Sequence, residues 1–243
     1  THGLPTLFVP LISSYIFTGS KKPQHAALRK ILEIIFSDKD WLDFYRKNDI
    51  RVRAYGNLKY LETNEYAGVL DLLEKIKQIT SGNRSRTLCY GFASATEDCG
   101  DIIASAIEFY KTYGRQPTHE EQMDYYYGRN VSPADFFIMS AKFAGLGALP
   151  PLIVNRHTQL YFLAAPGVMA LTEETYRKIL YDLLYCRPAE SRRDYTKNDL
   201  KHAEALKDYF LANRSTVFGL GKRIGNSWTP LIEPFESLKK EEE

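Results

Sequence analysis

Cysteine is scarce in this chain: Cys89, Cys99 and Cys186 are the only three in 243 residues. None sits in a CxxC pair, so neither a disulfide framework nor a zinc site is indicated, and a reducing, cytoplasmic compartment is expected. An excess of one charge is also missing. With 32 basic and 30 acidic residues the net charge is +2, which points to no polyelectrolyte partner. No basic stripe is interleaved with stacking aromatics, so nucleic-acid binding is not favoured. No apolar run approaches the roughly 18 residues of a spanning helix, so no transmembrane segment is read. The chain opens Thr1-His2-Gly3, with neither a methionine nor a signal peptide. The phosphate-cradling GxGxxG and GxxxxGK[ST] are absent, as are HExxH and GxSxG, which removes the common nucleotide, metalloprotease and hydrolase signatures. The five histidines (His2, His25, His119, His157, His202) are scattered and read as surface or internally satisfied side chains.

What the chain does have is aromatic rings: 17 Tyr and 13 Phe. Most must be core or half-buried. A pocket lined with them would suit an apolar or cationic ligand. Hydrophobic content of 44% and charged content of 26% are ordinary for a globular chain with a substantial core. There is no internal repeat and no clear linker, so residues 1–243 read as one domain with a charged tail over 236–243.

The stretch Leu7–Phe17, LFVPLISSYIF, is a short apolar run breaking into hydroxyls, which fits a buried strand. From Pro23 to about Arg46 the apolar spacing predicts one long helix. Ile50–Tyr55 alternates with period two and ends at Gly56-Asn57, a strand with Arg51 and Arg53 on one face. Glu65–Ile79 reads as helix, Arg86–Phe92 as strand, and Glu97–Tyr113 as helix stopped by Gly114. Thr118 with Glu121 is a capping-box signature, opening a helix that runs to Tyr127-Gly128. Asp135–Met139 and Gln159–Ala164 read as strands. Phe143–Pro151 reads as a loop or broken helix, and Thr172–Cys186 and Asn198–Leu211 as helices. Strands alternating with helices imply an α/β fold, a mostly parallel central sheet flanked by helices.

In such sheets ligands bind beyond the carboxyl ends of the strands. Ser13, Ser14, Tyr15 and Phe17 are placed there, small hydroxyls beside an apolar wall, with Lys21 and Lys22 a few residues on. Glu97, Asp98 and Asp101 form an acidic group, but acids are favoured in a first helical turn anyway. The spacing yields no catalytic dyad.

Read in order, five segments resemble the cis-prenyltransferases, the undecaprenyl diphosphate synthase superfamily. LFVPLISSYIF…KKP at 7–23 is similar to that family's strand ending in Phe-Ser-[Ser/Thr]-Glu-Asn-Trp and a proline. NDIRVRAYGN at 48–57 resembles its Asn-[Ile/Val]-Arg-[Val/Leu]-Arg-x-x-Gly-Asp. CYG at 89–91, PADFFI at 133–138 and QLYF at 159–162 resemble its Asn-Tyr-Gly, Pro-x-Asp-Leu-x-Ile and Glu-Leu-x-Phe. Further segments resemble the tuberculosinol synthase (tuberculosinyl adenosine transferase)-like diterpene synthases of mycobacteria. These are Leu88-Cys89, Gly-x-x-Pro-Thr at 114–118, Tyr126-Tyr127-Gly128, LYF…AP at 160–166, ILYD at 179–182 and VFG at 217–219.

The resemblance implies a terpene synthase built on the cis-prenyltransferase fold. It would ionise an allylic diphosphate, here a C20 diterpenyl one, and pass the cation to water or a nucleoside. It also implies Mg²⁺ and a homodimer. The substrate-lining residues it suggests are Ser13, Ser14, Tyr15, Phe17, Tyr90, Phe92 and Lys142. Chain elongation needs a second diphosphate site rich in arginine. Met139 stands at its first arginine, no Arg occurs from 130 to 155, and Gln159 replaces the metal-holding glutamate. Nothing resembling the family's Asp-Gly-x-[Arg/Asn]-Arg-Trp segment precedes Leu7, so the first strand–helix unit and its catalytic Asp are expected N-terminal to Thr1. Two other readings stay open: a non-catalytic subunit of a heteromeric prenyltransferase, and a chain-elongating or head-to-middle prenyl diphosphate synthase.

Overall fold

A computed structural model describes residues 3–19, 22–93, 99–128, 131–140, 149–165, 171–186, 207–216, 220–224 and 227–230. The chain falls into two compact units, Thr1–Pro133 with Leu146–Val154, and Ala134–Gly145 with Asn155–Glu243.

The first unit is built on three parallel strands. They are β1 (Thr6–Ile12), β2 (Ile50–Gly56) and β3 (Arg86–Phe92), in the spatial order β1-β3-β2. The register aligns Phe8, Cys89 and Arg53 across the sheet, and two residues further along Pro10, Gly91 and Tyr55. Side chains alternate between faces along a strand. Those two rows therefore share one face, and Val52, Leu88 and Tyr90 point to the other.

That other face carries the core. It packs against α2 (Lys22–Ser37), α3 (Lys39–Lys47) and α4 (Val69–Ile79), with Leu32, Phe36, Tyr45, Leu73 and Ile76 buried. Phe36 meets Tyr90 edge-on at 5.4 Å between ring centroids. The Tyr45 hydroxyl donates to the Ile35 carbonyl at 3.2 Å and lies 3.0 Å from the Tyr90 hydroxyl. Thr80 completes the outer edge of β2: its hydroxyl donates to the Ile76 carbonyl at 2.8 Å and accepts from the Val52 N–H at 3.0 Å. A strand-edge donor is thereby satisfied inside the protein rather than left for another chain.

The opposite face is covered by α6 (His119–Tyr127), to which α5 (Gly100–Tyr113) is packed. Phe8 and Tyr55 meet Tyr127 edge-on at 5.0 and 5.1 Å. The Arg53 guanidinium donates to the Tyr127 carbonyl at 2.9 Å, a cation at a helix C-terminus where the dipole favours it. Gln122 donates to the Ser105 hydroxyl at 3.0 Å and Tyr126 to the Asp101 carboxylate, tying α6 to α5.

In the second unit β4 (Phe136–Ser140) and β5 (Gln159–Leu163) are parallel. Helix α7 (Glu173–Tyr181) continues into a π-helical turn, Asp182–Cys186, and the Tyr161 hydroxyl donates to Asp182 at 2.6 Å. A helical stretch over 207–212 and an antiparallel pair, β6 (Gly221–Ile224) and β7 (Ser227–Pro230), follow.

Several sequence expectations need correction. The single helix from Pro23 to Arg46 is two, because the Asp38 carboxylate accepts from the Asp40 N–H at 2.9 Å and starts a new helix. The helix expected from Glu65 begins at Val69, after 3₁₀ turns at Leu58–Glu62 and Asn64–Tyr66, with left-handed Gly68 (φ 84°) at its N-cap. The helix expected over Thr172–Cys186 is α-helical only to Tyr181. The β6–β7 pair was not expected. Residues 94–98, 141–148, 187–206 and 231–243 lie outside the described set. With them go Lys142, Glu97, Asp98, the tail, most of the Phe143–Pro151 loop and most of the helix expected over Asn198–Leu211.

Candidate functional site

Three segments, one at the end of each strand, build the carboxyl edge of β1-β3-β2. After β1 come Ser13 and a short helix α1, Ser14–Gly19. After β3 comes Ala93, fully buried with φ 47°, whose N–H donates to the Ile12 carbonyl at 2.7 Å. A non-glycine residue in this region is uncommon. The bond closes the end of β1 onto the end of β3. After β2 come Asn57, whose side chain accepts from the Lys59 N–H at 3.2 Å, and the 3₁₀ turns.

Phe17 and Tyr60 meet above this edge. Their rings stack with centroids 5.0 Å apart and planes 17° from parallel. One ring comes from the segment after β1, the other from the segment after β2, and β3 lies between those strands. The pair therefore bridges across the end of the middle strand. Tyr66 stands edge-on to Phe17 at 5.3 Å. Its hydroxyl is 2.9 Å from His25 Nδ1 on α2, and the His25 ring lies 5.7 Å from the Tyr66 ring. Tyr66 is 1% exposed, and burial pushes its phenol up, so the ring stays neutral. Phe17 and Tyr60 are half-buried. The edge thus presents two half-buried rings resting on one buried ring.

The residues expected from sequence separate into three groups. Ser13, Ser14 and Phe17 are at this edge, Ser13 exposed and the other two half-buried. Tyr15 is placed there by its backbone; its side chain, like Lys142, lies outside the described residues. Tyr90 and Phe92 are 4% and 0% exposed and belong to the core beneath. Tyr60, Tyr66 and His25 were not expected as site residues. Their only signal was that Asn57 closes β2 as Ser13 closes β1, which puts Tyr60 at the same edge as Phe17.

Among the described residues Asp101 has no acidic or histidine companions in a metal cage, and Glu97 and Asp98 lie outside them. The Asp101 carboxylate accepts from the Tyr126 hydroxyl, and among the described residues no three His, Cys, Asp or Glu side chains come together as a metal cage. In the second unit Met139 pairs with Phe162 across β4–β5, and the Gln159 amide donates to the His157 carbonyl at 2.8 Å. Among the described residues no helix is long and apolar enough to cross a membrane.

No family model matches the chain. It is 30% identical over 223 residues to the tuberculosinyl adenosine transferase of Mycobacterium tuberculosis, covering 90% of this chain and 73% of that protein. It is 27% identical over 239 residues to the (+)-kolavelool synthase of Herpetosiphon aurantiacus, covering 98% and 77%. Among solved structures it is similar to lavandulyl diphosphate synthase from Lavandula x intermedia, with TM-score 0.63 and 16% identity over 76% of this chain and 78% of that one. A probable undecaprenyl diphosphate synthase from Campylobacter jejuni gives 0.61 and 14%, over 76% and 84%. The parallel sheet flanked by helices is thus the cis-prenyltransferase fold. Within that superfamily the chain belongs to the family of tuberculosinyl adenosine transferase, a family of enzymes of terpene and prenyl diphosphate chemistry.

Proposed function

We propose that the protein is a terpene synthase that ionises an allylic C20 diterpenyl diphosphate and gives the cation to water or a nucleoside. The observation that carries this reading is the side chains at two positions where the resemblance puts an arginine and a metal-holding glutamate: Met139 on β4, opposite Phe162, and Gln159 on β5, opposite Phe136. A second diphosphate would need guanidinium and carboxylate groups there, the one to hold phosphate oxygens and the other a metal. A thioether and an amide supply neither charge. The relatives' names support the same choice, since one is a transferase of a diterpenyl group to adenosine and the other a synthase of a diterpene alcohol.

In the step itself the allylic C–O bond breaks and its electron pair leaves with the diphosphate. A site that excludes water and holds rings near the carbon lengthens the life of the cation. Ser13 and Ser14 offer hydroxyls at the rim, and Phe17 an apolar wall. Mg²⁺, general among related prenyl diphosphate enzymes, would neutralise the leaving group. The described residues do not fit it: Asp101 is held by Tyr126, and Gln159 carries no charge. We also infer a homodimer, readable by light scattering, and a reducing compartment, supported by three dispersed cysteines with no disulfide among them.

The test uses the full-length protein with Mg²⁺ and geranylgeranyl, tuberculosinyl or kolavenyl diphosphate. Release of diphosphate with formation of an alcohol or an adenosine adduct is the expected result. Incorporation of isopentenyl diphosphate into a longer chain would overturn the reading.

A further inference from the structure

The geometry points to Tyr60 as the ring that faces the allylic cation, backed by Phe17 and held in place by Tyr66 and His25, an assignment that rests on the terpene-synthase reading. Three observations converge on it. First, the stack with Phe17 at 5.0 Å leaves one face of Tyr60 turned away from Phe17, and Tyr60 is only half-buried. A ring face is the negative side of the aromatic quadrupole and attracts a cation. Secondly, the pair spans the end of β3 at the carboxyl edge, the place where open α/β sheets bind their ligands. Thirdly, the support beneath it is rigid. Tyr66 is 1% exposed, stands edge-on to Phe17 and is joined through its hydroxyl to His25, itself 9% exposed. A buried histidine–phenol bond under two half-buried rings locks the position of the stack without blocking its outer face.

The chemistry balances without any further reagent. The C–O bond breaks heterolytically, the diphosphate carries off the electron pair, and the carbon keeps one positive charge. Tyr60 stabilises that charge without bonding to it. Water or a nucleoside then forms the new bond and loses its proton. A ring is suited to this task because a carboxylate would capture the cation covalently.

The experiment titrates the full-length protein, in inorganic diphosphate, with two C20 probes of equal shape: a trialkylammonium that mimics the cation and its uncharged carbon isostere. Tyr60→Leu keeps apolar bulk and removes the π face. It is expected to weaken the ammonium about 5- to 30-fold, the span of a desolvated cation–π contact, and to leave the isostere within about twofold. Tyr60→Phe, which keeps the ring, is expected to bind both like the wild type. For Tyr66→Phe, which loses the bond to His25, kcat should fall several-fold with KM unchanged. Equal weakening of both probes by Tyr60→Leu, or weakening of neither, overturns the assignment while the terpene-synthase reading stands. A wild-type protein that binds neither probe and turns over no diterpenyl diphosphate overturns both. Unchanged kcat in Tyr66→Phe removes the positioning role.

Discussion

The Arg53 guanidinium occupies the space that a side chain at position 128 would need. A Cβ built on Gly128 would overlap Arg53 Nη1. The glycine itself has φ 88° and ψ 161°, a conformation essentially closed to other residues. Gly128→Ala would strain the backbone and drive Arg53 from the Tyr127 carbonyl. The expected loss is about 2–4 kcal/mol, combining strain with overpacking, and urea unfolding measures it. A variant as stable as the wild type would mean that the end of α6 adopts another path.

Tyr45 and Tyr90 form a hydroxyl pair inside the core, and burial raises both phenols. Tyr45→Phe leaves the Tyr90 hydroxyl buried without that partner. The expected cost is about 1–3 kcal/mol, the penalty for stranding a buried polar group. Replacing both by Phe should recover part of the loss, because no group is then stranded. A double-mutant cycle by urea unfolding reads the coupling.

Glu121 reaches back to the Thr118 N–H at 2.9 Å and also binds Arg115. The Arg115 bond, then the Thr118 N–H, hold its carboxyl at about 2, against an ordinary 4.5. A folded value below the unfolded one gives stability that is complete above 4.5 and disappears as pH falls from there to about 2. Glu121→Gln should therefore melt lower than wild type at neutral pH. The gap between the two melting curves should close across that acidic window.

Cys89 is 1% exposed, and burial pushes its thiol up to about 12, whereas Cys99 and Cys186 are exposed. Thiolate is the reactive form. A thiol reagent should label Cys99 and Cys186 in the native protein and Cys89 only after unfolding. Rapid native labelling of Cys89 would show that β3 opens.

Local signals were legible where one short segment decides the outcome. The Thr118–Glu121 capping box forms as its spacing requires, and Gly114 ends α5 with φ 70°. Strand β3 spans Arg86–Phe92, the residues its apolar run named. Apolar spacing alone could not reveal the break at Asp38, because both helices bury the same side; the capping carboxylate was the signal. The β6–β7 pair joins runs of only four residues each, Gly221–Ile224 and Ser227–Pro230, too short for a period-two pattern to mark. At the candidate site, Phe17 was legible because it follows the apolar strand β1 within a few residues, although it lies in the short helix α1 and not in the strand. Its stacking on Tyr60 was not, since that contact joins segments more than forty residues apart and depends on which strand lies between them.

The order β1-β3-β2 also has a consequence during synthesis. The middle strand is the last of the three to be made, and the two outer strands bond to it and not to each other. A ribosome that has delivered Ile50–Gly56 has therefore delivered two strands with no partner in each other. Until Arg86–Phe92 emerges, their backbone edges stay open to any neighbouring nascent chain. Holdase chaperones should crosslink most strongly to arrested chains in which Ile50–Gly56 has cleared the exit tunnel and Arg86–Phe92 has not, and release them once β3 has cleared it too.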